Sequence, residues 1–262
     1  MRPRTRYAEK TKTTLPGDAA AGPPLPIDGW AVFLDIDGTL LDIADTPGAV
    51  TVPGGLRDDL AMLSRRVGGA LALVTGRSIA FVDEAFPAHG LPVAGLHGAE
   101  WRDPTGRRLD CDPGPGLAAA RRRLGEKAAD WPGVVIEDKG AAFAAHFRLA
   151  PRLGEVVRSF MESLAEGLGE GWTLQQGKSV VEIRPAGNDK GAVVERFMAQ
   201  PPFLGRRPLA VGDDLTDEAM FAVVNRLGGL SVRVGRSMQP TAAAMVVDSP
   251  AAVREWIAGA GR

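Results

Sequence analysis

The sequence predicts an α/β protein: a mostly parallel sheet covered by helices, Rossmann-like in layout, with a smaller α+β domain inserted into it. Three observations predict this. Short, continuously apolar runs alternate with helical periodicity at both ends of the chain, as expected of strands buried on both faces. The middle, roughly 110 to 185, changes rhythm to helix-strand-turn-strand, twice over. Acids and small polar residues follow several of the apolar runs, where an open parallel sheet binds its ligands.

The elements follow in order. "WAVFLDI" (30–36) is an apolar run and reads as a buried strand. In "GLRDDLAMLSRRVG" the residues Leu56, Leu60, Leu63 and Val67 recur at helical spacing. "ALALVTG" (70–76) is a second strand, "SIAFVDEAF" a helix, and "LPVAGLHG" (91–98) a third strand. "AEWRDPTGRRLD" predicts a hairpin that turns at Asp103-Pro104-Thr105-Gly106. In the middle segment, "LAAARRRLGEKAADW" and "PRLGEVVRSFMESLAEGL" are helical, and a strand-turn-strand unit follows each. That order suits an antiparallel sheet with two helices on one face. The first rhythm then returns: helix "DKGAVVERFM", strand "PLAVGDD" (208–214), helix "TDEAMFAVVN" with acids in its first turn, and short strands "SVRVG" and "AMVVD". Ser249-Pro250 opens a last helix, with Ser as N-cap and Pro in the first turn. The expected organisation is a leader over 1–26 without order, a core from 27–109 and 186–262, and an inserted domain over 110–185.

Composition narrows the function. The chain has 262 residues, 45% of them hydrophobic, a formal net charge of −1 and one cysteine, Cys111. A sizeable core is expected, and disorder is not the default. No basic field exists to hold nucleic acid. No internal disulfide is possible, which fits a reducing cytoplasm. No run of about 18 apolar residues appears, so no membrane span is expected, and the first 25 residues lack the apolar centre of a secretory signal. A monomer is expected.

Four polar clusters sit at or near predicted strand ends: Asp35/Asp37/Thr39, Thr75/Gly76/Arg77, Asp189/Lys190 and Asp213/Asp214/Asp217. Each has a plain reading alone: an Asp-Gly turn, a strand-ending turn, a helix-start charge, a helix-dipole acid. Together, the predicted topology would converge them. Asp35, Asp37 and Asp213 would then offer hard oxygen ligands for Mg²⁺, which takes a few carboxylates with water and a substrate phosphate. One carboxylate can attack phosphorus. A second, two residues on, can protonate the leaving oxygen and then activate water. Thr75 and Lys190 would bind phosphoryl oxygens, and Lys190 would offset repulsion between an acidic nucleophile and an anion. Two imitations fail. "GWTLQQGKS" leads into a strand where a phosphate loop needs a helix, and no strand precedes "GPGLAA" as a dinucleotide loop requires.

The order Asp-x-Asp-Gly-Thr, Thr-Gly-Arg, Lys, Gly-Asp-Asp resembles the haloacid dehalogenase superfamily over residues 30 to about 258. The resemblance implies Asp35 as nucleophile, Asp37 as general acid/base, and Thr75 and Lys190 as phosphoryl ligands. It puts Mg²⁺ on Asp35, Asp213 and the backbone carbonyl of Asp37, with Asp214 and Asp217 beside those ligands. At a finer level, "FLDIDGTLLDI", "LVTGR", "GLHGAEWR", "EDKG" with "HFR", "GKSVVEIRP", "DKG" and "VGDDLTDEAMF" resemble the trehalose-6-phosphate phosphatase family, whose cap falls where the inserted domain is expected. That implies Mg²⁺-dependent hydrolysis of a small sugar phosphate, trehalose 6-phosphate, through an aspartyl phosphate. It offers Gly76, Arg77, His97, Glu100, Lys139, His146, Arg148, Lys178 and Glu182 as substrate contacts, alongside Asp35 and Asp37. A broader sugar phosphatase, a phosphomutase and a non-catalytic sugar-phosphate sensor remain the alternatives.

Overall fold

The structure, a computed structural model, describes residues 28–44, 49–87, 90–110, 114–177, 179–187 and 189–261. The leader, Cys111 and Lys178 lie outside the described residues.

Two sheets organise the chain. In the larger, β1 (Trp30–Leu34), β2 (Leu71–Val74) and β3 (Val93–Gly95) run parallel to one side, linked by α1 (Leu56–Arg66) and α2 (Ile79–Ala85). The antiparallel hairpin β4 (Glu100–Arg102) and β5 (Arg108–Asp110) closes that edge. The Asp103 carboxylate holds its turn by accepting from the Thr105 and Arg107 N–H groups. On the other side of β1 stand β10 (Arg207–Gly212), β11 (Leu230–Val234) and β12 (Met245–Val247), with α6 (Asp217–Arg226) and α7 (Pro250–Ala260). The order is β12-β11-β10-β1-β2-β3-β4-β5, so the chain reverses its direction of travel between β1 and β10. Such a switch point leaves a crevice at the carboxyl ends of the two strands.

The apolar runs behave as strands covered on both faces. Ala31 to Leu34, Leu71 to Val74 and Leu209 to Val211 have no exposed surface. Helices α1 and α7 pack together, as do α6 and α5 (Lys190–Met198). Phe33, Phe197 and Phe203 form one aromatic knot, and Trp101 stacks on Phe197 at 3.9 Å between ring centroids. Helix starts are chemically marked. Ser78, Asp189 and Ser249 accept from the Phe81, Ala192 and Ala252 N–H groups, and Pro250 stands in the first turn of α7.

The smaller sheet lies between β5 and α5 in the chain. Its antiparallel order is β6 (Val135–Asp138), β7 (Phe143–His146), β9 (Val180–Pro185), β8 (Trp172–Gln176). Phe143, Ala145, Val181 and Ile183 form one buried cluster with Leu117 and Leu124 of α3 (Gly114–Ala128) and Val157, Met161 and Leu164 of α4 (Gly154–Leu168). Both helices therefore cover the same face. Because strand side chains alternate, the residues between these point away from the helices.

One expected strand is shorter than its apolar pattern. β3 stops at Gly95, and Leu96–Gly98 make a single 3₁₀ turn. Leu96 (φ 48°) and His97 (φ 57°) both take the left-handed backbone region. The Leu96 N–H donates to the Arg77 carbonyl and the His97 N–H to the Thr75 carbonyl, at 3.0 Å each. The chain leaves the sheet to tie itself to the loop after β2.

Candidate active site

The site begins where β1 ends. The Ile36 carbonyl accepts from the N–H groups of Thr39, Leu40 and Leu41, and the Gly38 N–H donates to the Leu41 carbonyl. This curl turns Asp35 and Asp37 out of the sheet. Gly38 sits at φ 75°, and a Cβ there would collide with the Asp213 carboxylate. Glycine is thus required on two counts.

Asp35 is buried at the switch point, its N–H bonded to the Val211 carbonyl of β10. Its Oδ1 accepts from Lys190 Nζ at 2.7 Å and its Oδ2 from Thr39 Oγ1 at 3.2 Å. Lys190, the first residue of α5, also donates to Asp217 Oδ1 at 2.7 Å. Asp217 Oδ2 accepts from the N–H groups of Asp213 (2.9 Å) and Asp214 (3.1 Å). Asp217 is thereby committed to holding the loop after β10. A Cβ on Gly212 would collide with it.

The electrostatics are those of an acidic centre with one cation of its own. Burial lowers the pKa of Lys190, but Asp217 and Asp35 outweigh it and keep the group well above the usual lysine value. Burial pushes Asp35 well up, against the pull of Lys190. Asp213 is pushed up to about 7, by burial first and then by the nearby charges of Asp214 and Asp217. Asp35, Asp213 and Asp217 bring carboxylate oxygens within 4.8 Å of one another. Carboxylates this crowded repel one another unless a further cation joins them. All-oxygen donors at this spacing fit a hard divalent ion.

The loop after β2 forms the next wall. Thr75 is buried, and its Oγ1 accepts from the Arg77 N–H at 3.1 Å. Arg77 grips Asp37 with two nitrogens: Nε donates to Oδ2 at 2.7 Å and Nη2 to Oδ1 at 2.6 Å. The His97 ring lies over Gly76, where a Cβ would stand 2.9 Å from Nε2. Burial first, then the charges of Lys190, Arg184 and Lys139, hold His97 neutral with its pKa well below 6.5. Its Nδ1 is buried without a hydrogen-bond partner.

Over this floor opens a cavity of about 260 Å³. Asp37, Gly76, Arg77, His97 and Asp214 line it from the large sheet. Glu137, Lys139, His146, Gln175 and Glu182 line it from the small one. Strand register explains the second group. Glu137 pairs with Ala144, Ala144 with Glu182 and Glu182 with Gln175, so one row crosses all four strands on the face away from the helices. Ala144 has no side chain beyond Cβ and leaves room in the row. Lys139 Nζ donates to Glu182 Oε2 at 2.5 Å, and His146 Nε2 lies 2.8 Å from Glu137 Oε2. Glu182 Oε1 and Gln175 Oε1 are buried with no partner. Polar atoms left so in a pocket wall are poised for a hydroxylated ligand.

The structure thus brings Asp35, Asp37, Thr75, Lys190, Asp213, Asp214 and Asp217 to the floor, and Gly76, Arg77, His97, Lys139, His146 and Glu182 to the cavity wall. Arg148 is exposed just past β7, outside the lining residues. Glu100 Oε2 accepts from the Ile79 N–H at 2.6 Å, a tie between β4 and α2, and the residue does not line the cavity. The sequence reading overlooked Glu137 and Gln175. The signal for Glu137 was parity, two residues before Lys139; Gln175 had none, because only the β8–β9 register sets it beside Glu182.

Comparison with known proteins agrees with this geometry. A profile of the family described as trehalose-phosphatase matches residues 33–251. A probable trehalose-phosphate phosphatase of Sinorhizobium fredii is 48% identical over 254 residues, covering 97% of this chain and 96% of the relative. The trehalose-6-phosphate phosphatase of Escherichia coli K12 is 43% identical over 210 residues, covering 79% and 77%. A solved trehalose-6-phosphate phosphatase related protein superposes with a TM-score of 0.75 at 26% identity, over 88% of this chain and 96% of that one. A Bacteroides thetaiotaomicron phosphatase of the haloalkanoate superfamily, at TM-score 0.59 and 17% identity over 96% of this chain and 99% of that one, shares the fold. That last likeness is one of fold. The profile and the relatives show the family: the chain belongs to the trehalose-phosphatase family.

Proposed function

We propose that this chain hydrolyses trehalose 6-phosphate to trehalose and phosphate. One observation carries the reading: acids gathered around a buried lysine face, across a single cavity, a row of carboxylate, amide, lysine and imidazole groups. The first set suits a phosphoryl group, the second a sugar with many hydroxyls. The relatives' names give the sugar.

In this reading Asp35 attacks phosphorus and becomes an aspartyl phosphate, while Asp37 gives its proton to the departing sugar oxygen. Asp37 then takes a proton from water, which attacks the phosphorus and frees Asp35. Lys190 and Thr75 hold phosphoryl oxygens, and the Lys190 ammonium opposes the rise that burial imposes on Asp35. Asp35, Asp213 and the carbonyl of Asp37 would hold Mg²⁺, which supplies charge neutralisation at the transferring group. Glu137, Lys139, His146, Gln175 and Glu182 bind sugar hydroxyls, and residues 110–185 act as a cap that keeps bulk water out. We read the setting as cytoplasmic, consistent with a single cysteine. We read the chain as acting as a monomer. No described helix is long and apolar enough to cross a membrane.

The test is phosphate release from trehalose 6-phosphate beside glucose, sucrose and mannose phosphates, with and without Mg²⁺, with Asp35→Asn as control. Metal-dependent release confined to trehalose 6-phosphate supports the reading. Equal release across the panel retains the chemistry and rejects the sugar.

A further inference from the structure

We propose that Arg77 is a positioning residue for Asp37 and not a ligand of the substrate. The inference rests on Asp37 being the acid/base group of the proposed reaction.

The geometry of the pair points there. Two parallel N–H donors meet the two oxygens of one carboxylate, at 2.7 and 2.6 Å. A planar fork of this kind fixes the orientation of the carboxylate as well as its place, which a single donor or a lysine does not. The fork is itself fixed. Its central carbon lies 4.3 Å from the centre of the Phe81 ring, in the first turn of α2. The Arg77 N–H is held by Thr75 Oγ1, and its carbonyl accepts from the Leu96 N–H. The Arg77 side chain is 13% exposed against 36% for Asp37, so the holder is more buried than what it holds. Both side chains line the cavity, and Asp37 is the more open of the two.

The chemistry explains why such a clamp is useful. An ionised carboxylate accepts from both arms of the fork, whereas a protonated one turns one oxygen into a donor and loses half of the grip. In either state at least one arm of the fork holds the carboxyl in its plane beside the cavity. A group that works through Asp37 matters most where protonation of the leaving group matters most. A sugar alkoxide needs that proton; p-nitrophenolate leaves without it.

The experiment compares wild type, Arg77→Met, Arg77→Lys, Asp37→Asn and the double variant Asp37→Asn/Arg77→Met, as full chains. Single-turnover rates of phosphoryl transfer are measured with trehalose 6-phosphate and with p-nitrophenyl phosphate. With the sugar substrate, Arg77→Met is expected to slow transfer by roughly 10- to 100-fold, a part of what general acid catalysis supplies. Arg77→Lys is expected to fare little better, because it keeps the charge and loses the fork. Transfer from p-nitrophenyl phosphate should stay within about 3-fold of wild type, which also shows that the variant is folded. In the Asp37→Asn background the Arg77 change should add nothing, as residues that act as one unit do not add. Equal losses with both substrates, or losses that multiply with Asp37→Asn, would overturn the proposal, as would a raised KM with unchanged kcat. Wild-type protein that transfers from p-nitrophenyl phosphate and from no sugar phosphate would instead reject the functional reading, before any variant is considered.

Discussion

Lys190 and Asp35 are 155 residues apart in the chain, and their side chains meet at 2.7 Å with both nearly sealed from solvent. The whole smaller sheet is inserted between them. A contact this remote in sequence joins the two segments of the larger sheet at its most acidic point. The ammonium answers two carboxylates at once, those of Asp35 and Asp217.

Replacing Lys190 by Ala leaves two buried carboxylates without their cation. Breaking a buried pair from one side costs roughly 3–5 kcal/mol. Urea denaturation should show a loss of that size. A surface pair such as Lys127 with Asp130 should cost less than about 1 kcal/mol when broken by Lys127→Ala.

Asp35→Asn preserves shape and removes the nucleophile. Turnover of trehalose 6-phosphate is expected to fall by about 10⁴-fold or more, with the thermal midpoint unchanged or raised, since burial already opposes the charge on Asp35. A folded variant with a tenth of the activity or better would remove Asp35 from the nucleophile's place.

Gly38→Ala places a methyl group against the Asp213 carboxylate, at a backbone angle that alanine avoids. Asp213 must then move from the acidic cluster. The expected result is a higher Mg²⁺ requirement in the activity assay, with weaker Mg²⁺ uptake by calorimetry. An unchanged metal titration would show that Asp213 does not hold the ion.

Glu182→Gln keeps the shape of a cavity-lining group and removes a charge bound by Lys139. A charged hydrogen bond from Glu182 to a sugar hydroxyl would contribute roughly 1.5–3 kcal/mol, and its loss should appear as a reduced kcat/KM for the sugar phosphate. Hydrolysis of p-nitrophenyl phosphate, which has no sugar to bind, should change little. Equal losses on both substrates would mean that Glu182 supports the fold and does not read the ligand.

His97 sets a pH dependence of stability. Its folded pKa is held well below 6.5, by burial and then by nearby cations. The unfolded chain takes up a proton as pH falls through about 6.5 while the folded chain resists. Stability is therefore complete above that value and declines below it, until the folded pKa is reached. Between pH 6.5 and about 5, urea midpoints should fall more steeply for wild type than for His97→Gln. Parallel slopes would place the titration elsewhere.

Much of this was legible beforehand, for physical reasons that differ by element. β1, β2 and β10 are read directly, because a strand covered on both faces must be apolar throughout, and acids just beyond it stand out. Asp217 and Lys190 are read by their spacing from Asp213 and Asp189. The end of β3 is not legible, because Leu96 and His97 are apolar and aromatic residues held at positive φ by Arg77 and Thr75, in the loop after β2. Local pattern contains no trace of such a tie. Glu137 looks like an ordinary strand charge until the register sets it in one row with Glu182. Arg77 reads alone as part of a strand-ending turn, and nothing beside it in the sequence announces the Asp37 carboxylate between its arms.

The two faces of the small sheet separate two kinds of demand on the sequence. Phe143, Ala145, Val181 and Ile183 answer to the helices beneath, while Glu137, Ala144, Gln175 and Glu182 answer to whatever enters the cavity. Odd and even positions of one strand thus meet separate physical demands. The cavity wall is written on every second residue of four short strands, and a change there leaves the hydrophobic packing below and the acids across the cleft in place.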